Sequence, residues 1–483
     1  MWNEVKLFGL AQRTYCPVGV VEHQFQKCRT GLSMKSTILE KYGEARLPRY
    51  TSYPTAPQFS TSVDALDYEG WLAGTAAKTG VSLYLHIPFC RSMCWYCGCH
   101  TTISKKDQPI VDYLDTLRRE IQLVATKTCQ LLTIDHVHFG GGTPTIMQPQ
   151  EFIDLMYLLR ENFVFSSRSE IAVEIDPRTL SDEMAQALGH SGAGRASLGV
   201  QSFDPAVQRA INRIQSVEQT AGAVTALRTA GVANINFDLI YGLPLQTVSS
   251  CIKTTEQAIA LRPDRFAVFG YAHIPSFKKH QRMIDEATLP NAHQRDQQAE
   301  AIARTLMSAG YRRIGLDHYA LESDELVTAQ ASGRLRRNFQ GYTTDTCETL
   351  IGFGASAIGH MREGYIQNEV PLGLYTKRIA AGQLATTKGY RLTAEDRLRA
   401  AIIERLMCDF EVDVPEICAD HGFDAGILLT GNARLKMLAN DGVIDIQNGF
   451  IRVAREQRFV IRAVAASFDA YLDQSGRTYG KVA

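Results

Sequence analysis

The sequence predicts an α/β protein: a partial (β/α)6 TIM-like barrel with a small helical, winged-helix-like C-terminal domain. From residue 82 onward, short apolar runs alternate with stretches of helical apolar spacing, and six such pairs follow in order. Glycines and polar residues gather after the apolar runs, where the carboxyl ends of barrel strands would meet. From residue 394 the pattern changes to helices and a hairpin-like stretch. Because an open doubly wound sheet gives the same alternation, both arrangements stay open at this point.

Length and composition describe an ordinary globular chain. Its 483 residues allow about two to four domains, and 51 Lys plus Arg balance 51 Asp plus Glu. This balance gives no reason to expect nucleic acid or an anionic membrane as a partner. The sequence contains no run of 18 or more apolar residues, so no membrane span is expected. An odd number of 11 cysteines without a secretory signal predicts a reducing cytoplasm.

Each predicted barrel strand is short, apolar and followed by a helix. The first strand, 82–89, is as apolar as a strand buried on both faces should be. Apolar residues at helical spacing then fill 109–127. The other predicted strands are 134–139, 169–176, 196–202, 234–241 and 265–272. The other predicted helices are 149–162, 181–189, 204–213, 217–230, 247–261 and 294–309.

A cysteine-rich stretch follows the first predicted strand. Cys90, Cys94 and Cys97 are separated by three residues and then two, and Cys99 follows one residue later. Thiolates this close repel one another unless a metal centre takes up their charge. Three thiolates suit a four-iron cluster with one open iron, which can bind a substrate or cofactor. A zinc knuckle with Cys99 as fourth ligand is the alternative, although no second ligand pair with zinc spacing occurs in the sequence.

The residues around these cysteines are typical of a known family. Cys-x3-Cys-x-aromatic-Cys, with Tyr96 as the aromatic residue, resembles the radical S-adenosylmethionine (AdoMet) signature. The lead-in Tyr84-x-His-Ile-Pro-Phe and the tail Gly98-Cys99 resemble those of the oxygen-independent coproporphyrinogen III oxidases. The resemblance implies a [4Fe-4S] cluster on the first three cysteines, whose open iron chelates AdoMet. It places Tyr84 and Tyr96 on the cofactor side and gives Cys99 a catalytic role without cluster binding.

The same resemblance assigns roles to residues near the strand ends. Gly141, Gly142 and Thr143 match a loop for the amino acid part of AdoMet, with a tight turn as the alternative. Glu174 matches a contact to the AdoMet ribose or amine, with a solvated strand exit as the alternative. Ala272 matches a backbone or packing contact. Ile358, in what reads as a Gly-rich loop at 351–359, matches a position near AdoMet.

A second AdoMet is expected from the implied reaction. Two propionates must be decarboxylated, and one radical serves one hydrogen abstraction, so two AdoMet molecules are consumed per turnover. Gln201, Arg213 and Asp238 match family positions that hold the second molecule. The alternative is that these three residues only brace the barrel mouth, because polar groups at strand ends are often structural.

An extended segment precedes the barrel and matches the substrate side of the family. Pro48-Arg49-Tyr50 opens a stretch whose prolines and aromatic or β-branched residues exclude a helix. By itself it is an ordinary linker. The resemblance makes Arg49 a candidate partner for a substrate propionate, and Arg213 is a second candidate because a guanidinium pairs well with a carboxylate.

The resemblance implies oxidative decarboxylation of coproporphyrinogen III to protoporphyrinogen IX in haem biosynthesis, driven by a 5′-deoxyadenosyl radical. It also implies an electron donor such as flavodoxin or ferredoxin, and we expect a monomer. A haem-binding chaperone on the same scaffold is the alternative. Such relatives typically lack the Gly98-Cys99 tail and the Pro48–Pro54 segment, both of which this sequence contains.

The chain divides by composition and by the extent of the resemblance. Residues 1–33 differ from the rest and form an expected N-terminal extension, for which disorder or a transit peptide are alternatives. Residues 34–81 are expected to form a substrate-side segment, 82–320 the barrel, and 321–393 a connection that covers it. Residues 394–483 form the expected C-terminal domain. This segment contains no basic stripe, so the sequence does not predict that it binds nucleic acid.

Overall fold

A twelve-stranded sheet forms the centre of the computed structural model, which describes residues 37–43, 45–76 and 80–472. Its middle consists of six parallel strands in chain order. These are β1 (Gly80–Ile87), β2 (Thr133–Gly141), β3 (Val164–Ile175), β4 (Arg195–Gln201), β5 (Asn234–Tyr241) and β6 (Arg265–Gly270). All six predicted barrel strands are confirmed, with bounds that differ by a few residues.

The barrel strands alternate between an outer core and an inner cavity. Leu83 and Leu85 of β1 pack in the main apolar core, whereas Tyr84 and His86 line the cavity. This alternation follows from the two-residue repeat of a strand, in which successive side chains point to opposite faces. Polar residues therefore reach the inside of the barrel from strands that are apolar overall.

Helices cover the outer face of the barrel strands, close to their predicted bounds. They are Gln108–Lys127, Pro149–Asn162, Asp182–His190, Pro205–Ala210, Val217–Thr229, Val248–Ala260 and Ala292–Ser308. The largest difference is the helix predicted at 204–213, which ends at Ala210. Asn212 has φ 54°, a left-handed conformation that stops the helix and turns the backbone before Arg213.

The sheet extends beyond β1, where the sequence suggested a loop. Thr349–Phe353 pairs parallel with β1, and Ile358–Met361, Gly364–Asn368 and Thr386–Arg391 continue the sheet antiparallel to its edge. The prediction of a Gly-rich loop at 351–359 was therefore wrong except for residues 354–357, which connect the two strands. A Cβ on Gly352 would lie 2.7 Å from the Ile358 carbonyl oxygen, so this glycine permits close strand approach rather than loop flexibility.

The opposite edge of the sheet is also antiparallel. His318–Leu321 pairs with β6, and Tyr311–Ile314 forms the edge strand. The strand order runs from Thr386–Arg391 at one edge to Tyr311–Ile314 at the other, so the sheet does not close. The six parallel strands follow one another in chain order without the reversal of a doubly wound sheet, which confirms the predicted partial barrel over that alternative.

The C-terminal part forms a separate apolar core of helices and a small sheet. Its helices are Ala394–Asp409, Val414–Asp420, Gly426–Leu429, Ala433–Asn440 and Ile461–Ala465. Ile444–Gln447 and Phe450–Val453 form the predicted hairpin, joined to Glu411–Asp413. Asn448 and Gly449 have φ 53° and 84°, as a tight two-residue hairpin turn requires. The arrangement is compatible with the predicted winged-helix-like unit.

The segment before the barrel packs on this C-terminal core. Ile38, Tyr42, Tyr50 and Tyr53 belong to the same apolar cluster as Leu406. Leu39–Gly43 forms a π-helical turn in this segment. The smaller elements are helices Ala65–Gly74, Glu325–Ala331 and Leu372–Ala380, strands Phe89–Cys90, Thr102–Ile103, Arg336–Asn338 and Gly341–Thr343, and 3-10 turns Ala56–Gln58, Pro144–Ile146, Lys279–Met283, Glu286–Thr288, Arg455–Val460 and Ala466–Phe468.

The predicted extension, residues 1–33, lies outside the described residues. For membrane spans, the part of the chain that is described has no helix both long and apolar enough to cross a bilayer.

Candidate cluster and cofactor site

The three clustered cysteines lie on the loop that leaves β1. Cys90 ends the short strand Phe89–Cys90, and its sulfur lies 3.4 Å from the hydroxyls of both Thr101 and Thr143. Cys94 is buried, and Cys97 is partly buried. The loop therefore gathers three thiols at the carboxyl end of the first barrel strand, where barrel enzymes place their active sites.

Cationic groups point at the buried sulfur of this loop. Arg178 Nη2 and Arg213 Nη1 each lie 3.7 Å from Cys94 Sγ. Asp176 pairs with both arginines, at 2.6 Å and 3.3 Å. Guanidinium groups at this distance can donate hydrogen bonds to the sulfur and balance the negative charge of thiolates that hold a metal centre. Three thiols with hydrogen-bond donors around them thus fit a cluster held by three cysteines.

Cys99 lies beside Cys97 and also faces the cavity. Its backbone N–H donates to Cys97 Sγ at 3.4 Å, and its own side chain is exposed. Hydrogen bonding from Cys99 lowers the pKa of the Cys97 thiol to about 6. Cys99 therefore lies where a cavity-bound molecule and the cysteine loop meet. Its catalytic role stays a prediction.

A large cavity of about 1640 Å³ opens inside the barrel. It runs from the cysteine loop at the carboxyl ends of the strands to residues near their amino ends. Seven of the predicted site residues line it: Arg49, Tyr84, Cys99, Gly141, Glu174, Asp238 and Ala272. The remaining predicted residues do not line it and lie in the walls or in the cysteine loop.

The glycine loop after β2 holds the cysteine loop in place. The Gly141 N–H donates to Glu174 Oε2 at 3.1 Å, which joins two predicted AdoMet residues directly. The N–H groups of Gly142 and Thr143 donate to the carbonyls of Ile87 and Phe89. A Cβ on Gly142 would lie 2.5 Å from the Phe89 carbonyl oxygen, so only glycine allows this approach. Gly142 and Thr143 therefore brace the cysteine loop.

The two predicted tyrosines have different surroundings. Tyr84 is 7% exposed, and its hydroxyl lies 2.9 Å from His86 Nδ1. Burial raises the pKa of Tyr84 well above its ordinary value, so its hydroxyl stays protonated. Tyr96 instead packs against an apolar cluster, and its carbonyl accepts a hydrogen bond from Gln281 at 3.1 Å.

Gln201, Arg213 and Asp238 come together around Gly199. Arg213 Nη2 donates to the Gly199 carbonyl at 2.6 Å, and Gly199 pairs with Asp238 across β4 and β5. A Cβ on Gly199 would lie 2.8 Å from Gln201 Nε2. The three residues thus share one wall, but only Asp238 lines the cavity. Arg213 is 6% exposed and paired with Asp176, so the structure does not present it to a cavity-bound propionate.

Asp238 is a carboxyl group held in apolar and hydrogen-bonding surroundings. Ser197 Oγ and Asn236 Nδ2 donate to it at 3.2 Å and 2.8 Å. Burial, followed by the charge of Glu174, raises the pKa of Asp238 to about 7. Asp238 can therefore hold or release a proton near neutral pH at the cavity wall.

The last two predicted residues differ in position. Ala272 lines the cavity just after β6, and its carbonyl accepts from Gln281 Nε2 at 3.2 Å. Ile358 begins a strand on the far side of Thr349–Phe353, and the structure places its backbone against Gly352 rather than in the cavity lining.

Sequence reasoning predicted Arg49 but missed two arginines beside it at the cavity wall opposite the cysteine loop. We call Arg49, Arg337 and Arg462 the arginine collar; all three line the cavity and lie around Asp317. Arg49 Nη2 donates to the Gly270 carbonyl at 3.2 Å, and Arg337 Nη1 lies 3.5 Å from Asp317 Oδ1. Burial lowers the pKa of Arg462 to about 10, and the positive charge of Arg49 contributes to this shift. A sequence signal existed for Arg462, which interrupts an apolar helix.

Comparison with known proteins identifies the family. Residues 84–258 match the Radical SAM superfamily. An oxygen-independent coproporphyrinogen III oxidase from Bradyrhizobium diazoefficiens is 56% identical over 93% of this chain and 100% of its own. One from Pseudomonas aeruginosa is 40% identical over 89% of this chain and 94% of its own. The coproporphyrinogen III oxidase structure from Escherichia coli, described as a radical SAM enzyme, superimposes with TM-score 0.84 at 36% identity, covering 89% of this chain and 100% of that chain.

These relatives match nearly the whole chain, and their names favour the oxidase over the haem-binding chaperone. The superfamily implies a [4Fe-4S] cluster and AdoMet, which the three gathered thiols and their donors fit. The chain belongs to the oxygen-independent coproporphyrinogen III oxidases, a family of radical SAM enzymes.

Proposed function

We propose that this enzyme decarboxylates two propionate groups of coproporphyrinogen III to vinyl groups, giving protoporphyrinogen IX for haem biosynthesis. One observation carries the proposal: a single cavity connects the cysteine loop with the arginine collar. A tetrapyrrole with four propionates needs a large cavity and cationic partners for its carboxylates. Its reacting propionate must also come close to the cofactor end.

The collar supplies more positive than negative charge around Arg49. The charged neighbours of Arg49 include Arg337 and Arg295, and Asp317 is the carboxylate among them. Arg49 is exposed to the cavity, whereas Arg462 is buried, and an excess of positive charge here is costly unless a ligand brings the missing negative charge. A propionate carboxylate is a ligand of this kind, and bidentate pairing suits a guanidinium. Arg49, rather than Arg213, is therefore our candidate for substrate contact.

In the proposed reaction, each propionate loses one hydrogen atom, CO2 and one electron. When bound, the cluster and AdoMet would supply the radical chemistry that removes this hydrogen from the β-carbon. Cleavage of the bond to the carboxylate then releases CO2, and one electron passes to an acceptor. The arginine collar holds the carboxylates, and the barrel wall keeps bulk water away from the reacting carbon.

Cys90, Cys94 and Cys97 would hold the cluster, while Gly142 and Thr143 fix the loop that carries them. Glu174 and Gly141, joined at 3.1 Å, would contact the cluster-bound AdoMet. Tyr84, Cys99 and Ala272 line the cavity beside it. Tyr96 and Ile358 would act through packing.

We further propose two AdoMet molecules per turnover, the second against the wall of Gln201, Arg213 and Asp238. Their common position around Gly199 supports one binding surface. Asp238→Ala and Arg213→Ala enzymes should keep the cluster and cleave some AdoMet, yet fail to complete protoporphyrinogen. Equilibrium binding to the anaerobic holoenzyme should give two AdoMet per parent chain and about one per variant chain. One AdoMet per parent chain would reject simultaneous binding.

The electron donor that we propose is an acidic flavodoxin or ferredoxin. The turn Lys279–Met283 lies against the cysteine loop: His280 Nε2 is 2.7 Å from the Cys97 carbonyl oxygen, and Lys278 Nζ donates to the Cys99 carbonyl at 2.9 Å. A basic turn this close to the cluster suits an acidic one-electron donor.

Charge reversal tests this surface. The Lys279→Glu/Arg282→Glu enzyme should react more slowly with a protein donor but unchanged with dithionite, because both side chains are exposed. Asp285→Lys, an exposed position in the next turn, serves as a charge-change control. Equal losses with both reductants would contradict docking at this turn.

We propose that the enzyme works as a monomer in a reducing cytoplasm. The cysteines that the structure describes are free thiols, as a reducing compartment would keep them. Sedimentation of the cluster-loaded enzyme tests the oligomeric state.

The test of the function is an anaerobic assay with coproporphyrinogen III, AdoMet and reductant. The expected products are protoporphyrinogen IX, two CO2 per substrate and two molecules each of methionine and 5′-deoxyadenosine. AdoMet cleavage without any vinyl product, in enzyme with a full cluster, would contradict the proposed substrate.

A further inference from the structure

A second group of metal-binding side chains lies near the amino ends of the barrel strands. His136 of β2, Asp345 and Cys347 each offer one ligand atom, and these atoms lie within 4.8 Å of one another. His136 Nε2 is 3.6 Å from Asp345 Oδ1. Neither Asp345 nor Cys347 belongs to a barrel strand; they precede the added strand Thr349–Phe353.

Neighbouring groups fix the orientation of this site. Ser82 Oγ donates to Asp345 Oδ2 at 2.5 Å, and the Cys347 N–H donates to Asp345 Oδ1 at 2.8 Å. The Cys347 thiol lies within hydrogen-bond reach of both Ser82 and Asp345. Metal-ligating carboxylates are usually held by such outer hydrogen bonds. The site is therefore partly organised before any ion binds.

The charge around the group also favours a cation. Asp135 and Cys347 both lie next to Gly80. A Cβ atom on this glycine would be 1.9 Å from Asp135 Oδ2 and 3.3 Å from Cys347 Sγ. Glu170, the strand partner of His136, is occupied by Arg195 at 2.8 Å. The Asp345 carboxylate and the Cys347 thiol thus lie beside the His136 imidazole, and the Asp135 carboxylate lies near the thiol.

We propose that His136, Asp345 and Cys347 bind one zinc ion or a similar divalent transition metal. Imidazole nitrogen, carboxylate oxygen and thiolate sulfur are the three donor types that zinc uses in proteins. Three protein ligands leave a fourth tetrahedral position for water. His136 and Asp345 line the cavity, so this position has access to solvent. The metal joins β2 to the segment that enters the added strand.

This site is distinct from the cluster loop. Ser82 beside the group and Phe89 before the cluster cysteines are seven residues apart on the first strand and its extension. At about 3.3 Å per residue, the two sites are roughly 20 Å apart. A metal at each site can therefore be counted and characterised separately.

The test uses cluster-loaded enzyme incubated anaerobically with zinc and then passed over a weak chelator. The parent should retain about one zinc per chain, with iron and sulfide unchanged. Cys347→Ser and His136→Gln should weaken zinc binding at least tenfold while keeping the full iron content, which shows that they are folded. Cys129→Ser, an exposed cysteine, and Cys99→Ser should retain zinc as the parent does.

X-ray absorption at the zinc edge distinguishes the proposed ligands from the cluster cysteines. The expected shell has one sulfur and otherwise nitrogen or oxygen. Two or more sulfurs would mean that zinc occupies the cysteine loop, and this would overturn the proposal. The absence of zinc from the parent, or its retention in Cys347→Ser, would overturn it as well.

Discussion

The arginines at the two ends of the cavity have different partners. Near the amino ends of the strands, Arg195 pairs with Glu170 and Glu325 at 2.8 Å each. Arg265 in the same region lies 2.6 Å from Asp324 and 3.1 Å from Glu325. We call these paired residues the floor network. In the arginine collar, by contrast, Arg49, Arg337 and Arg462 lie around the carboxylate of Asp317.

The difference distinguishes arginines that stabilise the fold from arginines that can bind the substrate. Carboxylates of the protein neutralise the guanidiniums of the floor network, so this network holds the barrel together without a ligand. The collar has an excess of positive charge, which a substrate carboxylate can neutralise. Replacing an arginine should therefore affect stability at the floor and substrate binding at the collar.

The largest expected effect comes from the cysteine loop and not from either arginine group. Cys94→Ala should lose the cluster and all turnover, because two thiolates cannot replace three. Iron and acid-labile sulfide analysis after anaerobic reconstitution measures this loss. Cys129→Ser, which changes an exposed cysteine far from the loop in sequence, should keep both. Stoichiometric zinc without sulfide in the parent would contradict the cluster.

Arg265→Gln should destabilise the floor network. It leaves the buried carboxylate of Asp324 without its 2.6 Å partner, and removing one member of a buried pair costs about 3–5 kcal/mol of unfolding free energy. Thermal unfolding of the cluster-loaded enzyme measures the change. The affinity for substrate should change little. A raised KM with unchanged stability would remove the distinction between floor and collar.

Arg462→Gln should weaken substrate binding and leave stability nearly unchanged, the reverse of Arg265→Gln. We expect the KM for coproporphyrinogen to rise at least tenfold, about 1.4 kcal/mol, because a carboxylate partner is lost. Stability should change little or increase, since the neighbouring charge of Arg49 no longer opposes burial. Fluorescence titration with oxidised coproporphyrin gives binding independently of turnover. Arg452→Gln, at an exposed salt bridge to Glu411, is the matched control.

Asp238 lies between the two groups and should make stability depend on pH. Its pKa is raised from 3.8 to about 7, so the folded enzyme keeps a proton that the unfolded chain releases. Protonated Asp238 contributes fully to the unfolding free energy below about pH 4, and this contribution is lost as the pH rises to about 7. Between pH 5 and 6 the parent should lose about 1.4 kcal/mol more than Asp238→Asn. Parallel curves for the two enzymes would show that Asp238 ionises normally.

The barrel could be predicted because its signals are local. Each strand is a continuous apolar run and each helix has its own apolar spacing, so one window of sequence contains the information. The stretch 349–361 was misread because its glycines permit close strand contact, which depends on the facing strand. A window of sequence does not contain that strand.

The cysteine loop was recognisable for the same reason, since its three clustered cysteines lie within eight residues. The collar was predictable only in part: Arg49 belongs to a sequence motif, whereas Arg337 and Arg462 join it only after the chain has folded. The group of His136, Asp345 and Cys347 likewise joins positions more than 200 residues apart. Arg213 shows the opposite limit: a motif does not reveal that this residue lies in the wall and pairs with Asp176, which argues against its second predicted role as a propionate partner.

The packing of Tyr50 and Tyr53 on the C-terminal core sets the order in which the enzyme can be completed during synthesis. Their partners lie between Leu398 and Phe468, so the segment that carries Arg49 has nothing to dock on when it leaves the ribosome. At about 5–20 residues per second, it waits roughly 20–80 s for those partners. Meanwhile the barrel strands and the cysteine loop are already made. The cavity wall that Arg49 and Arg462 form is therefore the part of the described site that is completed last, after the barrel strands and the cysteine loop.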